Sequence, residues 1–252
     1  MTQHHLVGRS EHEVLWHRRR DFLQAAAAWT VLGGLPAALA QGRGNVVVRS
    51  GDVLVNGTAL APQQAIQTGD SLQTGPGSQL TFVLGNAAFQ MRQNSRLTVE
   101  DGGGTPGIVR LLRMLSGGVI SVWGKGTNRQ IATPTLTAGI RGTGVYTEVL
   151  PEQDFRSYFC NCYGTIDMAA GGERLVSQSV YHQSFWGEPA SKGGRLLTPA
   201  DAINHTDEEL EALAALIHQR TAWQIAGRRG VKNGMGYLDG GAGQQHPAAA
   251  LR

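Results

Sequence analysis

Residues Ala132 to Glu148 run A-T-P-T-L-T-A-G-I-R-G-T-G-V-Y-T-E, short threonine-rich and apolar pieces parted by Pro134, Gly139, Gly142 and Gly144. Such a composition predicts a tightly bent β segment. Glycine there permits a close backbone approach or a dihedral closed to other residues. Arg141 sits inside the glycine cluster. A long cation among small residues either snorkels to water or gives hydrogen bonds to carbonyls at a strand crossing. That makes the segment a structural corner first and a ligand site second.

Outward from this segment, the chain reads as short strands and turns. Val46-Val47-Val48 and Val53-Leu54-Val55 are β-rich, and Asn56-Gly57 is a hairpin pair. Leu80, Phe82 and Leu84 alternate with Thr81 and Val83, as in a strand with one buried face. Arg110 and Arg113 interrupt Ile108 to Met114 at helix-like spacing, but the surrounding glycines favour a strand, followed by another over Gly118 to Trp123. Further strands are expected at Val145 to Leu150, Phe155 to Cys162, Thr165 to Ala169 and around Leu175 to Phe185. Strands this short and this regular predict an all-β roll or sandwich. The period changes only after His205. Thr206-Asp207-Glu208-Glu209 is a capping box, and Leu210, Leu213, Leu216 and Ile217 form the apolar stripe of one helix reaching toward Trp223.

The motif T-P-T-x-T-x-G-I-R-G-T-G-x-Y resembles the signature of the FecR domain, the periplasmic part of iron-uptake regulators. G51-D-V-L-V-N-G and the run from Ile66 to Leu84 resemble that family's first repeats. Thr133, Pro134, Gly139, Arg141, Gly142 and Gly144 carry the signature. The resemblance covers roughly Asn45 to Ala169. It implies a FecR-like β domain, but not one activity, because the domain serves proteins of different roles.

The chain has 252 residues, 16% of them charged, and a net charge of +3. Beyond residue 40 there remain 18 basic residues against 16 acidic ones and no basic block, so nucleic acid is not an expected partner. The start reads as an export signal. Arg18-Arg19-Arg20-Asp21-Phe22-Leu23 precedes an uncharged alanine-rich run to Ala40, and Ala38-Leu39-Ala40 suits a signal peptidase. Paired arginines before Phe-Leu resemble the twin-arginine class, although Arg18 and Gln24 depart from its usual pattern. Cleavage would release a periplasmic or otherwise extracytoplasmic protein, whereas a retained leader would anchor it to the membrane. The expected organisation is a signal peptide over 1–40, a FecR-like β domain over 45–186, a helical C-terminal extension over 187–226 and a disordered Gly/Ala-rich tail over 227–252.

Both cysteines lie in Tyr158-Phe159-Cys160-Asn161-Cys162-Tyr163. Residues two apart on a strand share a face, so both thiols can meet one object. His182 and His205 follow. Four ligands of Cys2His2 type suit zinc, copper or iron, although the spacing is no zinc-finger pattern. Other readings stay open: a Cys160–Cys162 disulfide, a pair of free or reactive thiols, or a His2Cys2 iron–sulfur cluster. The Cys-x-x-Cys-His order of haem attachment is absent. Gly124-Lys125-Gly126-Thr127 lacks the full order and the following helix of a phosphate loop. Trp123, Trp186 and Trp223 read as core or docking residues.

No constellation reads as hydrolytic, and Asp207, Glu208 and Glu209 read as helix-start acids. An enzyme therefore ranks third. An exported binding or structural module of the cell envelope, with a Cys/His metal or thiol site and a protein or cell-envelope ligand, ranks first. Second comes a metal- or redox-responsive envelope signalling protein acting through a separate membrane partner.

Overall fold

The computed structural model describes residues 44–103, 107–126 and 129–230. The expected signal peptide lies outside the described residues, as does nearly all of the expected tail. Fourteen strands fold in order: β1 (Val46–Ser50), β2 (Val53–Val55), β3 (Thr58–Ala59), β4 (Ser71–Thr74), β5 (Gln79–Leu84), β6 (Ala87–Met91) and β7 (Arg96–Glu100). They continue as β8 (Leu111–Trp123), β9 (Arg129–Ala132), β10 (Thr137–Leu150), β11 (Arg156–Ala170), β12 (Glu173–Ser179), β13 (Gln183–Lys192) and β14 (Arg195–Ala200). Two helices close the described chain, α1 (Asp207–Leu216) and α2 (Ala222–Ala226).

Three long strands organise the rest, because each changes neighbours midway. In β8, residues Leu111–Ser116 pair with β7, and Val119–Trp123 pair with β6. β10 pairs through Thr137–Ile140 with β9 and through Gly144–Val149 with the second half of β8. β11 pairs first with β13 and then, from Gly164, with β12. One layer thus runs β1, β5, β6, β8, β10, β11, β13, β14. The other runs β3, β2, β4, β7, β8, β9, β10, β11, β12. The bends fall at Gly117, Gly142 and Gly164, all of which have positive φ.

The Ala132–Glu148 segment is therefore a bend, as its composition predicts, but within one continuous strand. Thr133 closes the β9–β10 turn, its Oγ1 accepting the Leu136 N–H at 3.1 Å, with exposed Pro134 at the tip. At Gly142 φ is +61°, and the register with β11 shifts between Arg141 and Val145. Gly144 lies under the Tyr163 ring, where a Cβ would come within 2.3 Å of a ring carbon. Gly144→Ala forces that buried ring to move, and the expected loss is about 1–3 kcal/mol in denaturant unfolding. A loss below about 0.5 kcal/mol would show that the ring is free to give way.

Period-two alternation sorts side chains to two cores. Phe82, Phe89, Met91, Val119, Val145 and Phe159 point between the layers, where they meet Leu112, Ile131, Ile140, Ile166 and Met168. Phe89 stacks on Phe82 and meets the edge of Trp123. The alternate residues Ala88, Ile120, Val122, Tyr146, Tyr158, Cys160 and Cys162 face outward, where Leu210, Leu213 and Trp223 of the helices cover them. The middle of β10 and β11 is consequently buried on both faces. Burying each helix leucine is worth about 1.5–3 kcal/mol.

Several expectations are refined. Ile108 to Met114 and Gly118 to Trp123 belong to a single strand from Leu111, bent rather than broken at Gly117. β13 and β14 continue past residue 186 to Ala200, so the first part of the expected C-terminal extension is strand, and helix begins at Asp207, behind the expected Thr206 cap. The expected single helix is two. The capping box forms, Thr206 accepting from Glu209 N–H, but the helix ends at Leu216. His218 then takes φ of +56°, and Thr221 caps a new helix. Among the described residues, no helix is long and apolar enough to cross a membrane.

Candidate metal centre

Cys160 and Cys162 share the outward face of β11, as period two requires, and both are fully buried and unbonded to each other. His182 lies at the corner between β12 and β13 with φ of +38°, and its N–H donates to the Cys162 carbonyl at 2.9 Å. His205 precedes the helix cap, and Asn204 before it has φ of +60°. The four ligand atoms lie within 4.8 Å of one another, and all four residues are buried.

Four of the six ligand–ligand distances are close to the edges of a tetrahedron. Cys160 Sγ is 3.6 Å from Cys162 Sγ and 3.6 Å from His182 Nδ1, while Cys162 Sγ is 3.4 Å from His205 Nε2. His182 Nδ1 and His205 Nε2 are 3.0 Å apart. A zinc-sized ion with bonds of ~2.3 Å to sulfur and ~2.05 Å to nitrogen makes tetrahedron edges of about 3.8 Å (S–S), about 3.6 Å (S–N) and about 3.3 Å (N–N).

The outer nitrogens explain why the inner ones need a cation. His182 Nε2 is 2.9 Å from Asp207 Oδ1, and His205 Nδ1 is 2.6 Å from the Ile203 carbonyl oxygen. A carboxylate and a carbonyl can only accept, so each outer nitrogen carries the proton. In the neutral rings both inner nitrogens then present lone pairs to each other at 3.0 Å. Only a proton or a metal ion between them relieves that opposition. A carboxylate or carbonyl on the outer nitrogen is also what holds a metal-bound imidazole in place.

The surroundings fix these groups further. Asp207, at the first turn of α1 where the macrodipole favours an anion, accepts the Tyr181 hydroxyl at 2.7 Å and meets Arg229 at 3.2 Å. Tyr146 stacks on His205 and Trp223 on His182, each at an interplanar angle of 26°. Trp223 is thus a docking residue, as expected. Asp207 does more than start a helix. Its role was hidden because the sequence separates it from His182 by 25 residues, and only its closeness to His205 hinted at it.

The same contacts set the protonation of the metal-free site. Burial pulls His182 down, but hydrogen bonds with Asp207 and Cys160 outweigh it and raise its pKa to about 9. Burial would push the Cys160 thiol up, yet the Cys162 thiol and the two imidazoles hold it well below its usual value. Cys162 goes well above, through burial and the neighbouring thiolate. Without metal, the centre therefore keeps His182 protonated at neutral pH and favours the thiolate at Cys160 over Cys162. Binding a divalent ion at pH 7 should release about two protons, one from His182 and one from Cys162. Calorimetry in buffers of different ionisation enthalpy measures this. The raised His182 pKa stabilises the metal-free fold fully below its unfolded value near 6.5, and this contribution is lost as pH rises through about 9. Metal affinity should rise over the same window. If the two trends ran in the same direction, this assignment would be wrong.

Three of the six signature residues lie together away from this centre. Gly139 and Gly142 line an open cleft with Arg141, whose side chain is exposed and hydrogen-bonds to no described residue, so of the two expected arrangements it takes the one that reaches to water. Trp186 is a packing residue, with the Arg156 guanidinium 3.9 Å from its ring centroid and held by both oxygens of Glu188. No family model matches the chain, and no curated protein or solved structure matches it.

Proposed function

We propose that this protein is an exported FecR-domain-like module of the cell envelope in which one divalent metal ion, zinc in the first instance, fastens the C-terminal helices to the β domain. The observation that carries the metal assignment is the convergence of two thiols and two inner imidazole nitrogens, four buried ligand atoms all within 4.8 Å of one another. Four protein ligands, all buried, leave no position for water, which is the mark of a structural rather than a catalytic site. Charge favours a divalent ion. Two thiolates and Asp207 balance one such ion together with Arg229, whereas copper(I) would leave a buried negative charge. The spacing favours one ion. Every thiol–imidazole pair is within 4.8 Å, while a two-iron cluster sets its cysteine and histidine pairs on different irons, farther apart.

The N-terminal arginines and alanine-rich run support export, and the T-P-T-x-T-x-G-I-R-G-T-G-x-Y motif with its two upstream repeats supports the FecR-like assignment. Twin-arginine substrates cross the membrane already folded, so the thiolates would be loaded before they meet an oxidising compartment. A second reading, metal- or redox-responsive signalling through a separate membrane partner, draws on the fact that His205 and Asp207 belong to the helical segment. Losing the metal would loosen that segment. The test isolates the protein through its native export route and measures metal per chain in the wild type and in Cys160→Ser. About one zinc per exported chain, absent from the variant, is the expected result. A metal-free chain with oxidised or inert thiols would overturn the assignment.

A further inference from the structure

The open cleft at the signature bend is a second site of different chemistry. It encloses about 650 Å³, and Lys125, Arg129, Arg141 and Asp167 are the charged residues of its lining. Three cations come to it from three places: the end of the β8 turn, the first residue of β9 and the bend of β10. The Arg129 side chain is 4% exposed, yet its described partners are all neutral. Its Nη1 donates to the Gly124 carbonyl at 2.7 Å, its Nη2 donates to Asn86 Oδ1, and its guanidinium lies 5.8 Å from the Trp123 ring centroid. Burial without a counter-charge draws its pKa down, so an anion is what the group lacks. Gly126 makes this arrangement possible, since a Cβ there would fall 2.8 Å from the guanidinium nitrogens. At Gly139 and Gly142 a Cβ would meet nothing closer than 3.6 Å, so these two glycines keep the cleft wall low. Asp167, opposite Gly139 on β11, is the sole acid of the lining and forms no ion pair with Arg141. The lining is left with a net charge of about +2.

We infer that Lys125, Arg129 and Arg141 bind the phosphoryl group of a small molecule. A phosphoryl dianion matches the charge excess, and arginine forks suit its oxygens. The volume exceeds that of bare phosphate and lies in the range of small-molecule sites, so the group belongs to a larger ligand. The site is no phosphate loop, because no helix follows Gly126 and the anion would be held by side chains.

Isothermal titration of the full chain with inorganic phosphate and with pyrophosphate, alongside sedimentation with phosphatidic acid vesicles, tests this. Saturable binding should weaken at least tenfold in Arg141→Gln and in Lys125→Gln, both exposed positions whose circular dichroism should stay unchanged. It should be unaffected in Arg195→Gln, an exposed cation outside the cleft. Pyrophosphate binding alone would indicate a soluble ligand, and variant-sensitive vesicle binding a lipid headgroup. Either outcome supports the site. Absence of all binding, or an equal loss in Arg195→Gln, overturns it.

Discussion

Cys162→Ser is expected to remove the metal altogether and to lower stability by about 4 kcal/mol. In the proposed centre an ion would tie Cys162 on β11 to His205 before α1, residues 43 apart in sequence. Closing a loop of that length costs the unfolded chain about 4 kcal/mol of entropy that a cross-link removes. The serine oxygen fits the cavity but is a poor ligand at neutral pH. The loss should be concentrated in the helical segment, since the core between the layers makes no contact with the ion. β-rich circular dichroism should survive while α1 amides exchange faster. Chelation of the wild type should reproduce the loss, and chelation of Cys162→Ser should add nothing beyond it. A variant that still bound one ion, or unfolded within about 1 kcal/mol of the wild type, would show that the ion is not the fastening.

Arg92→Met should cost about 3–5 kcal/mol by a separate route. Arg92 follows β6 and is 5% exposed, and its two terminal nitrogens bind both carboxylate oxygens of Glu209 at 2.6 and 2.8 Å. It also donates to the Asn204 carbonyl at 2.8 Å, next to His205 of the Cys/His cluster. Methionine would leave Glu209 charged and nearly buried without a partner, the expensive way to break such a pair. Glu209 is in addition the return arm of the α1 capping box. Glutamine preserves that arm without charge, so Arg92→Met combined with Glu209→Gln should recover at least half of the loss. Denaturant unfolding of the four proteins of the cycle measures the coupling. If the double variant were as unstable as Arg92→Met, the cost would lie in packing against Tyr146 and not in the stranded charge.

What the sequence revealed of this molecule was what depends on near neighbours. Cys160 and Cys162 share a face because strand periodicity is two, and Thr206 caps α1 because a capping box is complete within four residues. Asn56-Gly57 turns β2 into β3 for the same local reason. The pairing of Gly144 with Tyr163 was not legible, although the need for some close approach at that glycine was. Gly117 looked like a strand end, because a glycine that bends a strand and one that stops it read alike. The four metal ligands were named from residue type, but their convergence depends on β11 bringing Cys162 under the His182 corner. Arg92 and Glu209, 117 residues apart, carry no mutual signal at all. The same holds for the cations of the cleft, which come together only because three strands change neighbours at neighbouring points.

X-ray absorption at the metal edge of the protein isolated through its proposed export route tests the central claim most directly. A closed Cys2His2 centre predicts two sulfur scatterers at ~2.3 Å, two imidazole nitrogens at ~2.0–2.1 Å and no oxygen ligand. A water or carboxylate oxygen in the coordination sphere, fewer than two sulfurs, or a metal–metal vector would contradict it.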